Sequence, residues 1–261
     1  MRDLVTVITG AAHGIGAATA SAFAGAGARL VLVDVDADGV GARARQLDAV
    51  AVAADVSTMD GASAAAEAAL GAYGRIDVLV NNAARYTVVP LHEATEADWD
   101  DTVAGVLRPV FTCTRAVLPA MIGAGRGAIV NVASVNQIVA APHHAAYTAA
   151  KGAVAALTRQ LAVEYGPSGI RCNSVSPGLI VTERIEPGLT DDDRRHGTQA
   201  YPVRHFGRPE DVAAAVLFLA TATFVNGVDL PVDGGLTVLS PATLVSPGLR
   251  RRWNLPPLVE D

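Results

Sequence analysis

The sequence predicts an α/β fold in a single domain, with a doubly wound sheet of parallel strands. Two observations predict it. Short apolar runs recur along the chain, separated by Ala-rich stretches long enough to return as helices. A turn carrying three glycines then stands between the first run and the first of those stretches. The length of 261 residues suits one such domain with a sizeable core.

The predicted strands, in order, are Val5–Thr9, Leu30–Asp34, Ala49–Ala53, Val78–Asn81, Ala128–Val132, Ile170–Val175 and Val228–Val232. Each is short and several are rich in Val and Ile, the pattern of parallel strands buried on both faces. The region from Ala11 to Ala72 is Ala-rich, which favours helices packed closely on a sheet. Thr95 and Asp98 have the spacing of a capping box, opening a helix that runs toward Ile122. Pro109 falls inside that helix. Its ring crowds the carbonyl of Gly105, so a kink is expected there. The segment from Glu183 to Arg208 and the tail after Gly235 read as irregular.

Composition excludes several function classes. The formal net charge is -6 and the sequence pI about 5.5, which disfavours a nucleic-acid or anionic-membrane partner. No apolar run reaches the roughly 18 residues of a membrane span, and the N-terminus lacks the form of a secretory signal. Cys113 and Cys172 stand far apart, without metal-ligand spacing. A cytoplasmic protein with neither a structural metal nor a disulfide framework is expected.

The glycine turn reads Thr9-Gly10-Ala11-Ala12-His13-Gly14-Ile15-Gly16. Gly10 permits a tight turn. Gly14 and Gly16 let the backbone approach a pyrophosphate, with His13 and Ile15 beside it, and the helix N-terminus offers free N–H groups. Asp34 closes the second strand, where a carboxylate can accept hydrogen bonds from both hydroxyls of the adenosine ribose. It would repel a 2′-phosphate, and neither Val35 nor Asp36 supplies a cation, so NAD is expected over NADP. Asp55 and Val56 follow the third strand, where an adenine edge can be read. Asn81-Asn82-Ala83-Ala84 follows the fourth, its small residues letting a cofactor lie on the backbone.

Tyr147 and Lys151 lie one helical turn apart and so share a face. A nearby ammonium would lower the phenol pKa and make Tyr147 a proton donor and acceptor near neutral pH. Ser134 follows the predicted strand Ala128–Val132. With the glycine turn, Asn81–Ala84, Ser134, Tyr147, Lys151 and Pro177-Gly178 in this order, the chain resembles the short-chain dehydrogenase/reductase family from about Val5 to Gly235. The resemblance implies a Rossmann-type domain that interconverts a small secondary alcohol and its ketone. Tyr147 would be the general acid/base, Ser134 would orient the substrate oxygen, and Lys151 would bind the nicotinamide ribose. Pro177, Gly178, Ile180 and Thr182 match the stretch that holds the nicotinamide, and a homotetramer is the usual assembly.

Val106 departs from the family pattern. It stands where an Asn usually helps hold a water of the proton relay, so altered proton transfer is expected. Asn136, Gln137, His143 and His144 lie close to Ser134 or Tyr147 in sequence. Of these, Asn136 and His144 are the substrate contacts expected. Residues 183–208 read as a substrate lid. The tail 236–261 carries Arg250-Arg251-Arg252-Trp253, a cluster suited to a neighbouring subunit, an acidic substrate group or solvent. Two other readings stay open: an NADP-linked ketoreductase with His13 and a distant Arg on the phosphate, and a non-catalytic NAD-binding subunit.

Overall fold

In the computed structural model, which describes residues 3–240 and 246–252, seven parallel strands form one sheet in the order β3-β2-β1-β4-β5-β6-β7. They are β1 (Val5–Thr9), β2 (Arg29–Asp34), β3 (Val50–Ala53), β4 (Val78–Asn81), β5 (Gly127–Val132), β6 (Ile170–Pro177) and β7 (Asp229–Val232). Every predicted strand is present, shifted at its ends by at most a residue or two. The expectation of burial on both faces holds for β1 and β4, and for β5 beyond its first residue, and fails at the edges. In β3, Ala51 and Ala53 are exposed, because an edge strand has a neighbour on one side only.

Side chains alternate across the sheet and build two cores. Val5, Val7, Val31, Val33, Leu79 and Ile129 face one layer with Met121 and Cys113. Ile8, Leu30, Leu32, Val80 and Val130 face the other with Phe23, Val212 and Val216. The first layer includes α3 (Met59–Tyr73), whose Ala62, Ala65, Ala66 and Ala69 are buried, so the Ala-rich composition does serve close packing. The second includes α1 (Gly14–Gly25) and α8 (Pro209–Thr221). Cys113 and Cys172 are free thiols buried in the first core. Among the described residues no helix is long and apolar enough to cross a membrane.

The single kinked helix expected over Thr95–Ile122 is instead two. α4 (Glu96–Val106) carries the Thr95–Asp98 capping box, and α5 (Arg108–Ala124) starts after a break at Leu107. Pro109 lies in the first turn of α5, where a missing N–H costs nothing. The Gly105 carbonyl, which residue 109 would satisfy in a continuous helix, accepts the Arg85 N–H at 3.1 Å instead. The proline thus hands a carbonyl to the loop that follows β4. Residues 183–208 are less irregular than expected. They contain α7 (Asp191–Gly197), opened by a Thr190–Asp193 capping box, and two 3₁₀ turns. In the tail, Arg250, Arg251 and Arg252 end a short helix, α9 (Pro247–Arg252), with Arg250 buried; Trp253 lies outside the described residues.

At the N-terminal edge of the sheet, Asp77 holds the start of β1. Its buried carboxylate accepts the Val5 N–H at 2.9 Å and pairs with Arg75 at 2.8 Å and Arg126 at 3.3 Å. Replacing Asp77 with Ala leaves the Val5 N–H without its acceptor. Urea denaturation of Asp77→Ala should show a loss of about 2–4 kcal/mol, and an unchanged midpoint would refute this bracing role.

Candidate active site

The chain reverses its direction of travel through the sheet between β1 and β4, and a crevice opens there at the C-terminal ends of the strands. Three turns line it. The β1 turn holds Gly10 at φ 64° and Gly14 at φ 53°, values that glycine adopts without strain. A Cβ on Gly16 would lie 1.9 Å from the Gly10 carbonyl oxygen, so no other residue fits there. The β4 turn is tied to the first: Asn82 Nδ2 donates to the carbonyls of Thr9 and Gly10, both at 3.0 Å. Thr9 Oγ1 in turn accepts the N–H groups of Asn82 at 3.0 Å and Ala83 at 3.1 Å. The Asn82 side chain, expected among the cofactor contacts, is thus engaged in bracing the turn.

The resulting cleft has a volume of about 520 Å³. The predicted residues Gly10, His13, Gly14, Asp34, Val35, Asp55, Val56, Asn82, Ala83, Ala84 and Thr182 all line it. So do Arg85, Glu183 and Arg184, which sequence reasoning passed over although each adjoins a motif it used. Ile15 packs on the second core, and Ile180 lies inside it, 6% exposed. Pro177 ends β6, and Gly178 packs against Tyr201 and Asp233, away from the cleft lining. A larger hollow of about 900 Å³ lies at the opposite edge of the sheet. Its Arg75 and Arg126 are paired with Asp77, and Arg171 donates to the carbonyls of Leu219 and Ala220.

The cleft carboxylates are held by backbone. Asp34 accepts the N–H groups of Ala12 at 3.0 Å and Asp36 at 3.1 Å. Asp55 accepts from Ser57 at 2.9 Å, and its hydrogen bonds with Ser57, with Arg85 nearby, keep its carboxyl below the ordinary range. His13 is in contact with Asp36 at 2.8 Å, and Asp36 also caps α2 (Ala37–Leu47) through Gly39.

Ser134 follows β5 and caps a 3₁₀ turn, its Oγ accepting the Asn136 N–H at 3.1 Å. Tyr147 and Lys151 lie in the first turns of α6 (Ala145–Tyr165). Lys151 is buried, donates to the Val132 carbonyl at 2.6 Å, and stands 5.7 Å from the Tyr147 ring centroid. The Ser134 side chain lies near enough to the Tyr147 phenol to favour its ionised form, so the three sequence-predicted residues lie together. Tyr86, from the β4 loop, lies with its ring centroid 4.1 Å from that of Tyr147, and His144 lies 6.0 Å from it. The signal for Tyr86 was an aromatic just beyond Asn81–Ala84. Gln137 turns away to Ser176 and Asp229, the latter at 2.7 Å. His144 Nδ1 lies 2.6 Å from the Pro142 carbonyl.

Electrostatics here run against the expected depression of the Tyr147 pKa. Burial pushes the phenol up to about 12, partly relieved by Ser134 and reinforced by Tyr86. Burial also brings Lys151 down to about 8. In both groups the loss of water outweighs the attraction expected between ammonium and phenolate. Val106, at the position where Asn was expected, is buried at the end of α4.

Residues 10–237 match the family model described as enoyl-(acyl carrier protein) reductase. A 2-(R)-hydroxypropyl-CoM dehydrogenase of Xanthobacter autotrophicus is 43% identical over 72% of this chain and 78% of its own length. A cis-4-hydroxycyclohexanecarboxylate dehydrogenase of Sinomonas cyclohexanicum is 43% identical over 91% of this chain and 98% of its own. The solved structure of a 3-ketoacyl-(acyl-carrier-protein) reductase from Brucella melitensis, complexed with NADH, superposes with a TM-score of 0.84 at 33% identity, covering 90% of this chain and 99% of that one. The matched span takes in the glycine turn, the β4 turn and the Ser134, Tyr147 and Lys151 cluster alike, and the chain belongs to the short-chain dehydrogenase/reductase family of oxidoreductases.

Proposed function

We propose that this protein is an NAD-dependent dehydrogenase of a small secondary alcohol, working reversibly on the corresponding ketone. The observation that carries the reading is the meeting of Ser134, Tyr147 and Lys151 where β5 leads into α6, beside a cleft that carries Asp34 at the end of β2. The cleft fits a dinucleotide: its turn has no room for a Cβ at Gly16, and its far end presents a carboxylate to a ribose. When bound, NAD supplies the carbon that accepts hydride. Val35 and Asp36 add no cation beside Asp34, and His13 is engaged by Asp36, which favours NAD over NADP.

In this reading Ser134 donates to the substrate oxygen and fixes it beside Tyr147. The phenol, protonated at neutral pH, gives its proton to that oxygen during ketone reduction and takes it back during alcohol oxidation. Lys151 holds the nicotinamide ribose. Asn136 and His144 contact the substrate, and Tyr86 supports the reading by adding an apolar wall. Residues 183–208 act as the lid of a single domain. Relatives named for a hydroxypropyl-CoM and a hydroxycyclohexanecarboxylate favour a secondary hydroxyl on a small carbon skeleton. A homotetramer belongs to the same reading, supported by Phe111 and Ile122 on the exposed side of α5. A cytoplasmic location accords with the two unpaired thiols.

Fluorescence titration should show tighter binding of NADH than of NADPH; the reverse order would overturn the role of Asp34. Tyr147→Phe should lower turnover of a secondary-alcohol panel by at least about 100-fold while NADH affinity stays within about twofold, and a normal rate would remove the acid/base role. A linkage test addresses Lys151. Its folded pKa of about 8 lies below the unfolded value of 10.5, so the unfolded chain binds the extra proton between those values and this group's contribution to stability rises with pH there. In paired denaturation curves at pH 7.5 and 10, the wild type should gain roughly 2 kcal/mol relative to Lys151→Met. A constant difference would show that Lys151 keeps its ordinary pKa.

A further inference from the structure

Glu183 stands directly after the Thr182 that reaches the cleft, and its side chain crosses to the glycine turn. Its Oε2 accepts the N–H of Gly14, the first residue of α1, at 3.2 Å. This helix lacks the usual means of satisfying its N-terminus. His13 at the cap position makes no side-chain capping bond, and no acid lies in the first turn. The anion that a helix N-terminus attracts therefore comes from a residue far along the chain. Contact between the two segments is close, because a Cβ on Gly14 would lie 3.0 Å from Thr182 Cγ2. Glu183 also begins the segment that leads to α7, whose first turn hangs on Thr182: the N–H groups of Ile185 and Glu186 both donate to the Thr182 carbonyl.

The Gly14 N–H belongs to the turn that, on the function proposed above, receives a pyrophosphate. A carboxylate and a phosphate oxygen are both anionic acceptors and cannot share one N–H at full strength. The charges lining the cleft sharpen the conflict: Asp34, Asp55 and Glu183 are set against Arg85 and Arg184. Asp55 accepts from Ser57 close to itself and Asp34 from Asp36 and from Ala12 in the glycine turn, whereas Glu183 alone of the three is bound to the first residue of α1.

We infer that Glu183 is an affinity-setting residue of the cofactor site, an internal anion that occupies the Gly14 N–H and competes with the pyrophosphate of the dinucleotide for it. The inference rests on the reading of the glycine turn as a dinucleotide seat. It makes Glu183 a binding determinant supplied by the 183–208 segment. Dinucleotide entry displaces the carboxylate from Gly14, so the start of that segment responds to the cofactor before any substrate arrives.

The test is a fluorescence titration of the full chain with NADH, comparing wild type, Glu183→Gln and Glu183→Ala, with adenosine binding measured by calorimetry beside it. Both variants should bind NADH about two- to fivefold tighter, the effect of one charge at a helix N-terminus. Adenosine, which has no pyrophosphate, should bind all three alike. Unchanged or weaker NADH binding in both variants would overturn the inference, and so would an equal gain for adenosine, which would mark a change of the cleft that does not involve the pyrophosphate. If the wild type bound no NADH at all, the dinucleotide reading itself would fall and the inference with it, an outcome distinct from normal NADH binding that ignores Glu183.

Discussion

The site depends on the joint between the ends of β1 and β4. Four hydrogen bonds cross it in one direction, the Thr9 hydroxyl oxygen accepting the N–H groups of Asn82 and Ala83 and the Asn82 amide donating to the carbonyls of Thr9 and Gly10. This joint sits where neighbouring strands lead their connections to opposite faces of the sheet. It sets the distance between the turn that starts α1 and the turn that leads to Tyr86. Gly16 is enclosed by the same arrangement, with the Gly10 carbonyl and the Asn82 amide both within 3 Å of where a Cβ would be. The glycine is thus required by the closure of the joint as well as by any ligand.

A second polar line carries this geometry across the sheet. Asn81 Nδ2 donates to Asn131 Oδ1 at 2.8 Å, and Asn131 Nδ2 donates to Thr158 Oγ1 at 2.9 Å. It passes from β4 through β5 into α6, between apolar layers, and leaves only the buried Asn81 Oδ1 of these amides without a hydrogen-bond partner. Lys151 makes a parallel tie from α6 to the last carbonyl of β5. Together these bonds fix α6 against the sheet in register, which places Tyr147 over the loop that carries Ser134. The spacing of Ser134, Tyr147 and Lys151 is therefore set in part by buried amides that do not line the cleft.

Much of this was legible in the sequence, because it is carried by short-range rules. Strand burial, the glycine turn, the Thr95 capping box and the sharing of a helix face by Tyr147 and Lys151 each need only neighbours along the chain. What escaped depends on contacts between distant segments. The Thr95–Ile122 pattern gives no sign that Arg85 will take the Gly105 carbonyl and let the helix divide at Leu107. Nothing in the order of residues brings Tyr86 to Tyr147 or Glu183 to Gly14. The pKa of Tyr147 was misjudged for the same reason: the neighbouring charge was visible, and the loss of water around it was not.

That last point changes the weight given to the two partners of Tyr147. A full ammonium 5.7 Å from the ring centroid, at an effective dielectric constant near 20, stabilises a phenolate by ~3 kcal/mol, or ~2 pKa units. Burial raises the phenol from 10.0 to about 12. The charge of Lys151 is thus too small to bring the phenol near neutrality, and it fades as pH passes about 8. Any further stabilisation of the phenolate must come from hydrogen bonds made directly to its oxygen. Ser134 favours the phenolate in this way, and on the proposed function the hydroxyl of an alcohol substrate would donate a further one. On the proposed function and these magnitudes, the readiness of Tyr147 for proton transfer is decided at its oxygen, by Ser134 and the substrate.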